Sequence, residues 1–368
     1  MNKKFKIALR LIIGIFACII LLLLTYVVYI SIQYYRIEDL KDYTKMVQQN
    51  QNETVTLNTP YGITTYNIGF GAYNHDFSFF MDSGTMKNGK KVSGTGSRAD
   101  CEQTVIQNTT GAMQTIQALQ PDFCFFQEVD TAASRSYQVN QFEMLCQSFV
   151  DMANVHVSNF HSAYLFYPLL NPHGQVNSGI ATFSSYQVKQ VVRHSLEISD
   201  DFPTKFFDLD RCFSATYIAT ETAHDLVIVN VHLSAYDEGG VYRKKQWETL
   251  NAFLDEEYQK GNYVICGGDF NHDIADSVGL FETTQEKPDW VYVLSENDLT
   301  DHYTFATSNQ IPTCRSTDMP YQKGENYTVV LDGFIVSDNI IVEEITNIDT
   351  DFLYSDHNPV YMKFQLKG

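Results

Sequence analysis

Leu11 to Ile32 is a run of 22 residues without a single charge, and it removes the first forty residues from any globular fold. Its length matches the ~20 residues that a helix needs to cross a bilayer. It is apolar all round rather than along one stripe, unlike a buried amphipathic helix. No small-x-small cleavage pattern follows it, and it is longer than a signal-peptide core, so the reading is an uncleaved signal anchor over 11–32. Lys3, Lys4, Lys6 and Arg10 precede the span, whereas Arg36, Lys41 and Lys45 follow it among Glu38, Asp39 and Asp42. The basic excess on the short side predicts a cytoplasmic segment 1–10 and an exported body. The expected location is therefore the cell membrane, with a single pass and an extracytoplasmic domain.

Residues 33–58, with the polar run Gln48–Asn52, read as a juxtamembrane linker, and the folded domain is expected over 59–368. About 310 residues suffice to bury a core of their own. From residue 46 onward, 18 Lys plus Arg face 41 Asp plus Glu, a net charge of −23. A duplex-binding surface draws its non-specific affinity from basic groups. This chain has no such global footprint, which weakens a nuclease reading without removing it. Six cysteines follow the anchor: Cys101, Cys124, Cys146, Cys212, Cys266 and Cys314. An even number outside the cytoplasm permits disulfides. Cys124, Cys212 and Cys266 lie inside apolar runs, however, and read as buried thiols. None has the paired spacing of a zinc site, and nothing calls for an obligate protein partner.

Strand-like runs dominate the body: Thr64–Asn67, Asp122–Phe126, Ala163–Tyr167, Gly179–Phe183, Phe213–Ala219, Leu226–Val231, Tyr263–Cys266, Thr328–Val336 and Val360–Phe364. Helical spacing appears over Asp100–Gln120, stopped by Pro121, and over Tyr242–Tyr258, with Trp247, Leu250 and Leu254 on one face. Strands outnumber helices too heavily for strict β–α alternation, so two packed sheets with helices outside fit better. Residues 83–98, rich in glycine, read as a mobile loop.

Several acids, amides and imidazoles stand where apolar runs end. Gln127-Glu128 follows Phe123–Phe126, and a carboxylate there can be a ligand for a hard cation or a solvated loop acid. Gly267-Gly268-Asp269-Phe270-Asn271 follows Tyr263–Cys266. Its glycines permit close backbone approach, and Asp269 and Asn271 can share one side of an extended segment. An Asp there can accept a proton from water, and the Asn amide can donate to a phosphate oxygen; an Asx turn is the plainer alternative. Ser355-Asp356-His357-Asn358 supplies an imidazole suited to proton transfer near neutral pH. Asp332, at the end of Val330-Leu331, can orient it. His232, after Val229–Val231, is either a donor to phosphate or a satisfied core histidine.

In this order the fragments resemble the endonuclease/exonuclease/phosphatase superfamily, over roughly residues 60–366. Thr65-Tyr66-Asn67-Ile68 is similar to its opening strand, Gln127-Glu128 to its metal-binding glutamate, and Ser178–Ser184 to a strand ending in Phe-Ser. The resemblance implies an α/β fold, a four-layered sandwich of two packed mixed β-sheets flanked by helices. It also implies metal-assisted in-line attack of water on phosphorus. It assigns Asn67, Glu128 and Asp356 to the metal, and Asp269 to activating water. Asn271, His232 and His357 would stabilise the transition state, Asp332 would orient His357, and Arg211 would contact phosphate. The implied cofactor is Mg²⁺, with Mn²⁺ or Ca²⁺ as alternatives.

The chain departs from the pattern between Gly69 and Arg98, a long insertion before the first helix in which His75 and Asp76 are candidates to extend the site. The expected activity is that of a membrane-tethered phosphodiesterase or phosphatase. Its substrate would be either a nucleic acid or a lipid headgroup or other small phosphoester. A binding module that keeps the fold without the chemistry is the rival. Such a module should have lost at least one of these groups, and all of them are present.

Overall fold

Two parallel strand pairs set the architecture, because parallel neighbours need a crossover long enough to hold a helix. Tyr61–Asn67 pairs in parallel with Phe123–Asp130, and helix Glu102–Leu119 makes the crossing. Leu226–His232 pairs in parallel with Tyr263–Asp269, joined by helix Val241–Gln259. The computed structural model describes residues 3–235, 237 and 239–368. The first two residues of the expected 1–10 segment lie outside the described residues.

Around each parallel pair the remaining strands add antiparallel. One sheet has six strands, in the order Ile340–Asn347, Val360–Leu366, Tyr61–Asn67, Phe123–Asp130, Asn177–Ser184 and Ala153–His161. The other has seven: Lys41–Asp42, Val188–Ser195, Cys212–Ile218, Leu226–His232, Tyr263–Asp269, Asp332–Ser337 and Tyr303–Ala306. Ile63, Phe125, Ile180, Ile228, Ile265 and Phe334 fill the space between the sheets. Trp247, Leu250 and Leu254 cover the outer face of the seven-stranded sheet. Ala112, Met113 and Ile116 cover that of the other. These are the four layers expected.

The inner faces change character along the strands, and this change positions the site. Every second residue points between the sheets. In Tyr61–Asn67 the inward series runs Tyr61, Ile63, Thr65, Asn67; in Leu226–His232 it runs Leu226, Ile228, Asn230, His232. Apolar packing at one end gives way to polar groups at the other. Just below the rim, Gln127 Nε2 donates to Asn230 Oδ1 at 2.8 Å, and Asn230 Nδ2 donates to the Ala181 carbonyl at 2.9 Å. Buried amides without partners would be costly, so these bonds fix how the two sheets meet.

Four local expectations need correction. Ala163–Tyr167 is a loop carrying one isolated bridge, Leu165 to Gly174, because its apolar side chains are spent on surface and cavity walls. The expected strand Thr328–Val336 breaks into Thr328–Val329 and Asp332–Ser337. Thr313 Oγ1 accepts from the amides of both Leu331 and Asp332 at the break. Residues 83–98 contain a hairpin, Ser83–Thr85 with Lys91–Ser93, and Lys87 N bonds to the Thr284 carbonyl. The linker is also structured: Lys41–Asp42 extends the larger sheet, and Gln48 and Val55 form bridges to Asn154 and Thr220.

The N-terminal helix spans Lys3–Gln33, and its most apolar stretch is wholly unburied by protein. All seven cysteines are free thiols, four of them buried: Cys124, Cys212, Cys266 and Cys314.

Candidate active site

His232, Asp269 and Asp332 are register partners on three adjacent strands, so their side chains emerge side by side. Gly268 makes this row possible. Its φ of +149° and a Cβ that would lie 2.0 Å from the Val231 carbonyl exclude any side chain there. Asn67 comes from the end of the facing sheet's parallel pair, beside Gln127. Glu128 follows at a bulge between Phe126 and Val129, with φ +54°, which turns its carboxylate out of the ladder toward the cavity. A non-glycine residue in the left-handed region is strained and persists only where its surroundings hold it. Asn271 shares that conformation, φ +51°.

Asp269 is the hub. Its Oδ1 accepts from the Asn271 amide at 2.9 Å and its Oδ2 from Asn67 Nδ2 at 3.0 Å. The same Oδ2 faces His232 Nε2 at 3.5 Å and His357 Nε2 at 3.6 Å. On the far side of the imidazole, His357 Nδ1 bonds to Asp332 Oδ2 at 2.8 Å. Ser355 ties the His357 turn to the first strand, with Oγ 2.8 Å from the Asn67 carbonyl and 3.2 Å from Asp356 Oδ1.

Burial alone would strip the proton from His357, but the charges of Asp332 and Asp269 overcome it and hold its pKa well above 6.5. Burial alone would also raise Asp269; the His357 charge and the bonds from Asn271 and Asn67 bring it below the usual carboxylate range. Asp332 is pushed up to about 6 by burial. His232 falls to about 3, through burial and then the nearby Arg211, and is neutral near pH 7. The row therefore pairs an ionised Asp269 with a cationic His357 and a neutral His232: a proton acceptor, a proton donor and an uncharged donor.

Asp269, Asp332 and His357 lie close enough to share an ion, with donor atoms within 4.8 Å of one another. The 2.8 Å hydrogen bond between Asp332 and His357, whose pKa is held well above 6.5, instead makes them a paired carboxylate and imidazole. Hard-cation chemistry fits better at Glu128 and Asp356. Burial raises both carboxyls, Glu128 to about 7, which marks negative charge short of compensation. Asn67 bridges Glu128, at 3.3 Å, to Asp269 through its amide nitrogen, while its oxygen accepts from Gly69 N at 3.0 Å.

Glu128, His232, Asp269, Asn271, Asp356 and His357 face a cavity of about 510 Å³. Arg211 lines it with its Nε and Nη1 unpartnered among the described residues, as are His232 Nδ1, Asn159 Nδ2 and Ser178 Oγ. Buried donors without acceptors are rare, and here they surround a space of ligand size. The structure thus brings together Asn67, Glu128, Arg211, His232, Asp269, Asn271, Asp332, Asp356 and His357. His75 and Asp76 stay outside; His75 Nε2 meets the Asp351 carbonyl at 2.6 Å instead. Sequence reasoning missed Arg135, which is bidentate to Asp130 and packs 4.0 Å over the Phe70 ring while its charge opposes the rise at Glu128. No sequence signal marked it. It also missed the cavity's apolar wall, whose signal was the aromatic density of the insertion: Phe70, Tyr73, Phe79 and Phe80 all line it.

The family model for the endonuclease/exonuclease/phosphatase family matches residues 64–330. The chain belongs to this family. Its members are hydrolases of phosphoester bonds that generally use a divalent metal. Among solved structures, an endonuclease/exonuclease/phosphatase from Beutenbergia cavernae is similar at TM-score 0.54 and 16% identity, covering 84% of this chain and 72% of that one. The family protein from Bacteroides vulgatus gives TM-score 0.51 at 16% identity, covering 84% and 100%. TDP2 of D. rerio, solved with a single-strand DNA product, gives 0.52 at 12% identity, again covering 84% and 100%. At such identities the likeness is one of fold. No curated protein sequence matches the chain.

Proposed function

We propose that the protein is a membrane-anchored, divalent-metal-dependent phosphoesterase that hydrolyses a phosphodiester or phosphomonoester by in-line attack of water. The observation that carries this reading is the placement of Asp269. It is ionised, faces two imidazoles within 3.6 Å, and one of those imidazoles is backed by Asp332 at 2.8 Å.

In this reading Asp269 orients water and takes its proton. His357, kept protonated by Asp332, stabilises the charge that grows on the phosphoryl oxygens, together with Asn271 and neutral His232. Arg211 supplies the fixed positive charge that draws phosphate into the cavity. Glu128 and Asp356 would hold the cation, with Asn67 keeping Glu128 and Asp269 together. A cation bound there, Mg²⁺ in our reading, offsets negative charge on the phosphate and the leaving oxygen.

The helix Lys3–Gln33 serves as the membrane anchor, and the basic residues before the span favour an exported body. The net charge of −23 beyond residue 45 speaks against a nucleic-acid substrate. An apolar wall beside the catalytic groups favours a lipid headgroup or small phosphoester. The test uses full-length protein in detergent with bis-p-nitrophenyl phosphate and Mg²⁺. Turnover that disappears on chelation and in Asp269→Asn supports the proposal. Turnover indifferent to both, or absent with every phosphoester offered, refutes it.

A further inference from the structure

The anchor helix does not merely precede the domain; its last turns are bonded to one wall of the catalytic cavity. Tyr26 Oη donates to the Tyr164 carbonyl at 3.3 Å and accepts from Phe166 N at 3.3 Å. Tyr29 Oη accepts from Tyr164 N at 3.2 Å, and the Tyr26 and Phe166 rings meet edge-on at 5.5 Å. Further along, Tyr34 meets Phe206, and Arg36 bonds to Asp210 at 2.8 Å.

These contacts set a depth. Tyr26 stands six residues before the end of the uncharged run Leu11–Ile32, about 9 Å at 1.5 Å per residue. A 22-residue run is only slightly longer than a ~30 Å hydrocarbon core. Whatever touches Tyr26 and Tyr29 therefore lies just inside the boundary between acyl chains and headgroups, near which tyrosines concentrate.

The loop tip at that level is apolar and uncovered. Phe166, Tyr167 and Leu169 are exposed, Leu170 is 98% exposed, and Phe202 on the neighbouring loop is 63% exposed. Contiguous exposed apolar groups of this kind mark an interaction surface. The backs of the same loops, through Leu165, Tyr167, Phe207 and Leu209, line the cavity that holds Asp269, His357 and Arg211, whose Nε and Nη1 have no partner among the described residues.

We infer that the loop tips around 166–170 and Phe202 form a bilayer-docking surface, and that the cavity takes its phosphoester from the leaflet in which they sit. The ligand is an amphiphile. Its phosphate meets Arg211 and the catalytic row, while its apolar part stays against Phe80, Leu165, Tyr167 and neighbouring lipid. The occupant is the bilayer rather than a protein, because the surface continues directly from the anchor helix. An acidic body gains nothing from an anionic leaflet, so docking is by apolar insertion and is insensitive to salt. The substrate half of this inference rests on the phosphoesterase reading; the docking half does not.

The test uses full-length protein reconstituted in phosphatidylcholine bilayers. A Leu170→Trp variant is compared with Ile341→Trp, which lies at the opposite end of the sheet from the site, paired with Gln365. Docking predicts that the tryptophan at 170 emits at shorter wavelength and loses at least half its intensity to brominated acyl chains at any salt, while that at 341 does not. A water-like, unquenched signal at 170 overturns docking. In the same bilayers, Leu169→Glu with Leu170→Glu should lower hydrolysis of embedded sphingomyelin or phosphatidylcholine at least tenfold. Bis-p-nitrophenyl phosphate turnover should stay within about twofold. Equal loss on both substrates, or cleavage of single-stranded DNA with lipid untouched, overturns the substrate half. If wild type cleaves nothing, the phosphoesterase reading and the substrate half fall together, and quenching at 170 still decides docking.

Discussion

His357 Nδ1 and Asp332 Oδ2 stand 2.8 Å apart, joining a C-terminal turn to the strand Asp332–Ser337, and the pair fixes which nitrogen of the imidazole faces the cavity. Removing the Asp332 charge while keeping its shape leaves His357 in place but lowers its proton affinity. Asp332→Asn should reduce kcat by roughly 10²- to 10⁴-fold, the usual span for a proton-transfer group. His357 observed by NMR should then titrate at lower pH than in wild type. An unchanged His357 titration would disconnect the two residues.

Glu128 gives a pH dependence with a definite sign. Its folded-state value of about 7 lies above the ordinary 4.5. Between those values the folded protein keeps a proton that the unfolded chain has lost, so this group's contribution to stability falls as pH rises through the window. A cation bound to the carboxylate reverses that trend and expels the proton. Calorimetric titration with Mg²⁺ at pH 6.5, in buffers of different ionisation enthalpy, should show proton release that disappears in Glu128→Gln.

Gly268→Ala should be among the most damaging single changes, because the added Cβ meets backbone rather than a movable side chain. A cost of at least ~2 kcal/mol is expected from strain and overpacking. That corresponds to a Tm lower by roughly 3 °C for a domain of about 310 residues. Thermal unfolding by circular dichroism measures it.

The bond between Gln127 and Asn230 across the sheets predicts a different signature. Asn230→Leu leaves one Gln127 Nε2 hydrogen in the core without its acceptor, Thr65 Oγ1 being the partner that remains at 3.1 Å, at a cost of about 1–3 kcal/mol. It also lets the two halves of the site shift relative to each other. Stability and kcat should fall together, and Gln127→Leu added to Asn230→Leu should recover part of the stability.

What could be read from the sequence follows from where each segment sits. Tyr263–Asp269 and Leu226–His232 are buried on both faces, so their mostly apolar runs announced strands and made the polar residue at each end conspicuous. Ala153–His161, Val188–Ser195, Tyr303–Ala306 and Ile340–Asn347 escaped notice because they lie at or next to sheet edges, where one face meets water and the pattern fades. Asp269, Asp356 and His357 were legible through glycine and turn context. Asn230 was not, since one amide inside Val227–Val231 shows its purpose only when the facing sheet brings Gln127 to it. Leu169 and Leu170 gave no signal at all. Neither lies in any run read as a strand or helix, and both stand at an exposed loop tip just beyond Ala163–Tyr167, whose apolar run suggested a strand where the structure has a loop.

The central claim is that Asp269 delivers water to phosphorus. Its most direct test is hydrolysis of bis-p-nitrophenyl phosphate by the full-length protein in heavy-oxygen water with Mg²⁺, followed by mass analysis of the products. The account predicts one heavy oxygen in the phosphate product, none in the released phenol, and no turnover by Asp269→Asn. Label in the phenol, or undiminished labelling by the variant, would contradict it.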